Sequence, residues 1–250
     1  KGENPTDYFN TVLYTGTSDD SAKVITGVGF QPDFIWSKGR SGTYAARNHF
    51  LRDAVRGANK NLHSNTTDAE ATDSGNSFDV DGVTLSSDYG QNGLNTNHVL
   101  WSWKANGSGV SNTDGSITST VSANTTSGFS ILTYTGNNTN GATVGHGLGV
   151  TPDMLIIKAR STTTGWSVNH VGTGMTSGYL QLSSNAAFAS AANNVTGISS
   201  STFTLGVDSW VNASGQPFIC YAFNSVEGFS KFGSYQGGSD PFVYLGFEPA

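Results

Sequence analysis

Tyr14-Thr15-Gly16 returns 120 residues later as Tyr134-Thr135-Gly136, and the offset holds elsewhere in the chain. Val28-Gly29-Phe30-Gln31-Pro32-Asp33-Phe34-Ile35 becomes Leu148-Gly149-Val150-Thr151-Pro152-Asp153-Met154-Leu155. Arg40 matches Arg160, Ser64-Asn65 matches Ser184-Asn185, and Trp101 and Trp103 fall opposite Tyr221 and Phe223. A constant offset over several blocks means one structural unit used twice. A third copy begins with Tyr235-Gln236-Gly237 and continues as Leu245-Gly246-Phe247-Glu248-Pro249-Ala250, where the sequence stops. The chain opens on Lys1-Gly2, with neither Met nor a signal peptide, and is expected to be processed or a piece of something longer.

The residues between these blocks point to an all-β chain. Short apolar stretches such as Thr11-Val12-Leu13-Tyr14 end in Thr-Gly turns, and Gly, Asn and Asp punctuate at short spacing. From His98 to Lys104 the pattern alternates, with Val99, Trp101 and Trp103 on one face. The runs 33–38 and 153–158 are apolar on both faces, as in a central strand covered on two sides. A Pro precedes each, where no ladder donor is lost. The expected architecture is two tandem β-sandwich, jelly-roll-like repeats at 8–105 and 128–228. A Gly/Ser/Thr/Asn-rich linker at 106–127 joins them, with an edge-strand pattern at 115–121, and a third repeat starts at 229–250. His49 to Gly57 reads as a turn or short helix on a loop, without a counterpart in the second copy.

Composition narrows the function classes. Five Trp, nine Tyr and fourteen Phe are enough to build cores, so the chain is not disordered despite only 12% charged residues. A net charge of −6 with no basic cluster argues against nucleic acid as partner, and no apolar run is long enough to insert in a membrane. The one cysteine, Cys220, lies in Phe218-Ile219-Cys220-Tyr221 and reads as a buried core thiol. No Cys/His spacing suits zinc, so no metal, cofactor or catalytic residue is assigned. Asp19-Asp20 and Asp79-Val80-Asp81-Gly82 read as turn formers, because neither cluster recurs in the second copy. His49 and His170, each after an Asn, read as loop-folding histidines; no Gly-x-Ser-x-Gly elbow accompanies them. Asp33 and Asp153 read as a structural pair fixing a strand start, and Trp101 and Trp103 as core. Trp166 and Trp210 lie in polar Gly/Ser/Thr/Asn surroundings and are the candidates for stacking on a sugar ring.

The frame Tyr-Thr-Gly, Gly-Phe-x-Pro-Asp-Phe-Ile-Trp-x-Lys-x-Arg, Asp53-x-Val55-Arg56-Gly57, Ser64-Asn65-x-Thr67-x-Ala69-Glu70 and Trp101-x-Trp103-Lys104-Ala105 resembles a repeat of structural proteins of marine tailed bacteriophages. Gly145-His146-Gly147-Leu148-Gly149-Val150-x-Pro152 and Val226-Glu227-Gly228-Phe229-Ser230-Lys231-Phe232-Gly233-Ser234-Tyr235 look like the next unit of such proteins. The resemblance implies an all-β, virion-associated, non-enzymatic protein: a tail-fibre, appendage or capsid-surface component, outside the cell. Its expected partners are copies of itself, other virion proteins and a host surface glycan. The alternative expectation is a carbohydrate-binding module of a secreted or cell-surface adhesin. Near the end of the chain, Phe242, Val243, Tyr244, Leu245 and Phe247 are too apolar to be left in water and form the candidate assembly strand.

Overall fold

A computed structural model describes residues 4–17, 20–238 and 242–247. Asp19 and the residues at 239–241 and 248–250, part of the third copy, lie outside the described residues.

The first module has a six-stranded antiparallel sheet. Its spatial order is β1 (Phe9–Thr15), β9 (Asn97–Trp103), β3 (Phe34–Ser41), β4 (Phe50–Asp53), β5 (Lys60–His63) and β6 (Ala71–Thr72). A small sheet of β2 (Lys23–Thr26), β8 (Gly82–Leu85) and β7 (Ser77–Asp79) covers one face. The second module repeats this order with β12 (Phe129–Thr135), β20 (Pro217–Phe223), β14 (Met154–Ala159), β15 (Ser167–His170), β16 (Gly178–Gln181) and β17 (Ala189–Ser190). Its small sheet is β13 (Ala142–Gly145), β19 (Thr202–Leu205) and β18 (Val195–Ile198). A one-turn helix sits in the same place in each module, α1 (Tyr89–Asn92) and α2 (Ser209–Asn212).

The repeated residues are those that close this architecture. Tyr14 donates from its hydroxyl to the Gln91 carbonyl at 2.6 Å, and Tyr134 to the Val211 carbonyl at 2.7 Å, so each pins the short helix of its own module. The glycine two residues on has no alternative. A Cβ on Gly16 would lie 2.1 Å from the Gly93 carbonyl oxygen, and one on Gly136 2.4 Å from that of Ala213. The Pro-Asp pairs are equivalent as well. The Asp33 carboxylate accepts from the Ala105 amide at 2.7 Å and that of Asp153 from the Ser225 amide at 2.6 Å, each tying a central strand to the end of its neighbour.

Three expectations need correction. The segment 106–127 is not a plain linker: β10 (Val110–Asn112) and β11 (Ser119–Asn124) pair along β12 and widen the second sheet to eight strands. Its polar composition hid this because only Ile117, Val121 and Ala123 of its described residues belong to or pack on the core, while the buried Ser119 and Ser122 hydroxyls bond backbone. The helix-like stretch from His49 to Gly57 opens as strand β4, fully buried and with a counterpart in β15, and only 54–56 form the expected turn. Finally, Phe34 pairs with Asp53 and Met154 with His170, so His170 stands where Asp53 does and Trp166 where His49 does. The two histidines are therefore not equivalent. The same slip, carried through β5 and β16, separates Ser64-Asn65 from Ser184-Asn185: Leu62 and Leu180 are the matching positions.

The large sheets have apolar side chains on both faces because both faces are covered. Ile25, Val28, Ile35, Val83 and Leu100 fill the first sandwich; Leu132, Val144, Leu155, Phe203 and Cys220 the second. The opposite faces meet each other, with Phe34, Leu51 and Leu62 of the first module packed against Phe129, Ile131, Trp166 and Tyr221 of the second. Four sheet layers result: small, large, large, small.

Candidate functional site

The seam between the large sheets holds most of the chemistry. Trp166, expected as a sugar platform, is completely buried there, and its indole N–H donates to the carbonyls of His63 and Thr66 at 3.0 and 3.2 Å. It is a fastener between modules and offers no face to a ligand. Beside it runs a buried ionic network. Arg56 donates to the Asp53 carboxylate at 2.5 Å, to Glu70 at 3.1 Å and to the Leu51 carbonyl at 3.0 Å. From the second module Tyr221 donates to Asp53 at 2.8 Å, and Arg160 grips Glu70 with two bonds of 2.9 Å. The Arg56 and Asp53 side chains are both wholly excluded from solvent. Burial alone would raise the Glu70 carboxyl, but hydrogen bonds and charge from Arg160 and Arg56 hold it below its ordinary range. The motif residues Asp53, Arg56, Thr67 and Glu70 thus attach one module to the next, and the Thr67 carbonyl receives the Thr164 amide at 3.0 Å.

Where the two sheets splay apart they leave an apolar cleft of about 340 Å3. Phe9, Trp36 and Trp103 line one wall, and Met154, Phe223 and the ring of Phe129 the other. The chain leaving β20 adds Phe229 and Phe232 to it, with Phe232 packed at 5.8 Å on Phe223. That chain is fixed by the Asn224 amide on the Gly128 carbonyl at 2.9 Å and by a tight turn from Val226 to Ser230. Beyond it, Tyr235 is 71% exposed, Phe242 89% and Tyr244 81%. Val243 is also exposed, and Leu245 and Phe247 are half-buried. None of the described residues from 231 to 247 lies in a strand, so the candidate assembly strand is not paired to either sheet within this chain. Leu245 and Phe247 border one hollow together with residues of the 225–231 turn region.

The remaining candidates resolve simply. Trp210 is half-buried on the surface of the second core, tilted at 5.3 Å against Tyr179. Asp81 caps a turn, accepting from the amides of Gly27 and Gly29 at 3.0 and 2.6 Å, and those bonds hold its carboxyl low. Asp79 accepts from the hydroxyls of Ser77 and Thr84, both at 2.7 Å. His49 accepts from the Trp36 indole at 2.9 Å and His170 from the Gly172 amide at 3.0 Å. Burial pushes the Cys220 thiol up, so it stays protonated. Among the described residues no three His, Cys, Asp or Glu side chains converge as a metal site, and no helix is long and apolar enough to cross a membrane.

Residues 4–250 match the family model described as Domain of unknown function (DUF7483), and the chain belongs to that family. No curated protein and no solved structure matches it.

Proposed function

For this member of the DUF7483 family we propose a non-enzymatic structural role at a virion surface, as a tail-fibre, appendage or capsid-surface component. It assembles with copies of itself or other virion proteins and presents an adhesive surface to the host. The observation that carries this reading is the run of solvent-exposed aromatic side chains, Tyr235, Phe242 and Tyr244, on a segment anchored in the cleft by Phe229 and Phe232. Exposed apolar residues contiguous with a packed groove are characteristic of protein contact surfaces. The favoured acceptor is β1 of a second copy. In the second module the corresponding strand, β12, is covered by β11, whereas β1 is an edge among the described residues, with Leu13 exposed on it. An open edge of this kind takes an added strand through its free backbone groups. Repetition of many weak contacts then supplies avidity without catalytic chemistry.

The test is removal of residues 234–250, which spares Phe232, alongside the double variant Phe242→Ser/Tyr244→Ser. Light scattering and electron microscopy on the intact chain are expected to show multimers that both variants lose while keeping native circular dichroism. Equal assembly of the intact and altered chains would overturn the reading.

A further inference from the structure

We propose that the first module carries a binding pocket for a single polyhydroxylated ring, a pyranose unit of a glycan, at the junction of β4, β5 and α1. This deepens the adhesive part of the proposed function but does not depend on assembly. The pocket has a volume of about 360 Å3, within the range of small-ligand sites, and mixes hydrogen-bonding groups with an aromatic rim. Asn61, His63, Asp73, Asp88, Tyr89 and Phe50 line it.

Two of these residues have polar side-chain atoms without a partner among the described residues. Asn61 is only 5% exposed, and among the described residues its side-chain amide has no hydrogen bond. His63 is set by a relay. The His49 amide donates to Asn65 Oδ1 at 2.9 Å, and Asn65 Nδ2 donates to Asn48 Oδ1 at 3.0 Å. Asn48 therefore presents its NH2 to His63 Nδ1, at 3.2 Å. Nδ1 must accept, so the proton sits on Nε2, which is buried and has no partner. A buried donor without a partner carries a cost. Asp88 uses one carboxylate oxygen on the Gly90 amide, at 2.7 Å, and has the other to spare. Tyr89, stacked at 4.9 Å on Tyr44, offers an exposed ring face for sugar C–H groups. The spare Asp88 oxygen suits a sugar hydroxyl, which donates to it, whereas Asp73 is already engaged by Arg52, Asn76 and Ser86.

The second module acts as an internal control. At the matching positions Tyr179 replaces Asn61, Gln181 replaces His63, and Trp210 replaces Gly90. The rings of Tyr179 and Trp210 meet at 5.3 Å and occupy the space themselves. In the first module the Phe50 ring stands against Gly90, where even a Cβ would come within 2.3 Å of it, so Phe50 takes the place of Trp210 while Asn61 stands where Tyr179 does. The same junction therefore closes on the Tyr179–Trp210 pair in one copy and, in the other, stays open beside Phe50 with donors and acceptors along its wall.

The experiment titrates the isotope-labelled full chain by amide NMR with the methyl glycosides of glucose, galactose and mannose and with N-acetylglucosamine, at millimolar concentration. At least one sugar is expected to give saturable shifts at 47–50, 61–63 and 88–90, with none at 179–181 or 208–210. Asn61→Ala and Tyr89→Ala should each weaken binding about fivefold, the worth of roughly one net hydrogen bond or ring contact, with the rest of the spectrum unchanged. Absence of saturable shifts with all four sugars, or undiminished binding in both variants, would overturn the proposal. Assembly is read separately by light scattering, so its failure does not masquerade as loss of sugar binding.

Discussion

Replacing Arg56 by Met tests whether the seam between the modules is held by the buried network. The change removes bonds to Asp53, Glu70 and the Leu51 carbonyl at once, while the Met side chain fills much of the same volume. Asp53 is left fully buried, with the Tyr221 hydroxyl at 2.8 Å and the residue-56 amide at 2.8 Å as its remaining partners. Glu70 keeps Arg160, so its charge stays paired. Breaking one side of a buried ion pair costs about 3–5 kcal/mol, and the two surviving donors to Asp53 place the loss near 3 kcal/mol. That is a large part of the 5–15 kcal/mol that typically holds a native protein together. The assay is guanidinium unfolding followed by tryptophan fluorescence, which reports on Trp166 in the seam. Because the pair is out of solvent, the loss should persist at high salt, where an exposed pair would be screened. A double replacement, Arg56→Met with Asp53→Asn, should recover part of the loss by removing the stranded charge. A loss under about 1 kcal/mol, the range of an exposed pair, would refute the reasoning.

Trp166→Ala should cost about 3–5 kcal/mol by denaturant unfolding, the usual price of emptying a large aromatic site; a surface sugar platform would lose far less. Gly136→Ala, and likewise Gly16→Ala, forces a Cβ onto backbone at 2.4 and 2.1 Å and should destabilise by about 1–3 kcal/mol in thermal melts. If either is neutral, the closing role of the Tyr-Thr-Gly motif is wrong. Burial, helped by the Lys38 charge, pushes the His98 imidazole from 6.5 to about 4, so the folded chain stays neutral there while the unfolded chain binds a proton. Stability is thus full above pH 6.5 and falls as pH drops towards 4. His49, His63 and His146 shift the same way, and Glu70 adds to the loss below about 4.5 as its carboxylate is protonated. His98→Phe should flatten this fall by up to about 1.4 kcal/mol per pH unit in urea melts between pH 7 and 4; an unchanged slope would count against it.

The strand pattern was legible where one residue type reports one environment. Val99, Trp101 and Trp103 alternate with Leu100 and Ser102 because each face of β9 meets a different layer, and the two-faced apolar runs at Phe34 and Met154 announced a sheet covered twice. What covered the second face was not legible. Trp166 follows Thr162-Thr163-Thr164-Gly165, a setting that looks solvated, yet its burial is supplied by His63 and Thr66, about a hundred positions earlier in sequence. Charged Arg52, Asp53 and Arg56 look like surface and were read as part of a loop; they are buried because their partners neutralise them. The polar pocket was invisible for the same reason, since Asn61, His63 and Asp88 come together only when β5 and α1 pack. A signal did exist: Asn61 and Gly90 against Tyr179 and Trp210 mark a place that the two copies line differently.

The seam also explains why two copies of one fold have diverged. Large sheets that meet face to face bring the same strands to both sides. Identical modules would therefore pair with any copy, in the same chain or another. Here the two sides carry different groups. The first module brings Asp53, Arg56 and Glu70; the second brings Tyr221, Arg160 and Trp166. At the matching places His170 stands for Asp53, Trp101 for Tyr221 and His49 for Trp166. Two first modules pressed together by this face would leave Asp53 without the Tyr221 hydroxyl, because Trp101 stands in its place. Two second modules would leave the Trp166 indole N–H without its carbonyls. Buried polar groups without partners are what makes a wrong pairing expensive. The divergence thus favours a first module against a second one over two modules of the same kind. In the proposed role, the surfaces left for assembly are those that remain apolar and open, the β1 edge and the aromatic segment after Phe232.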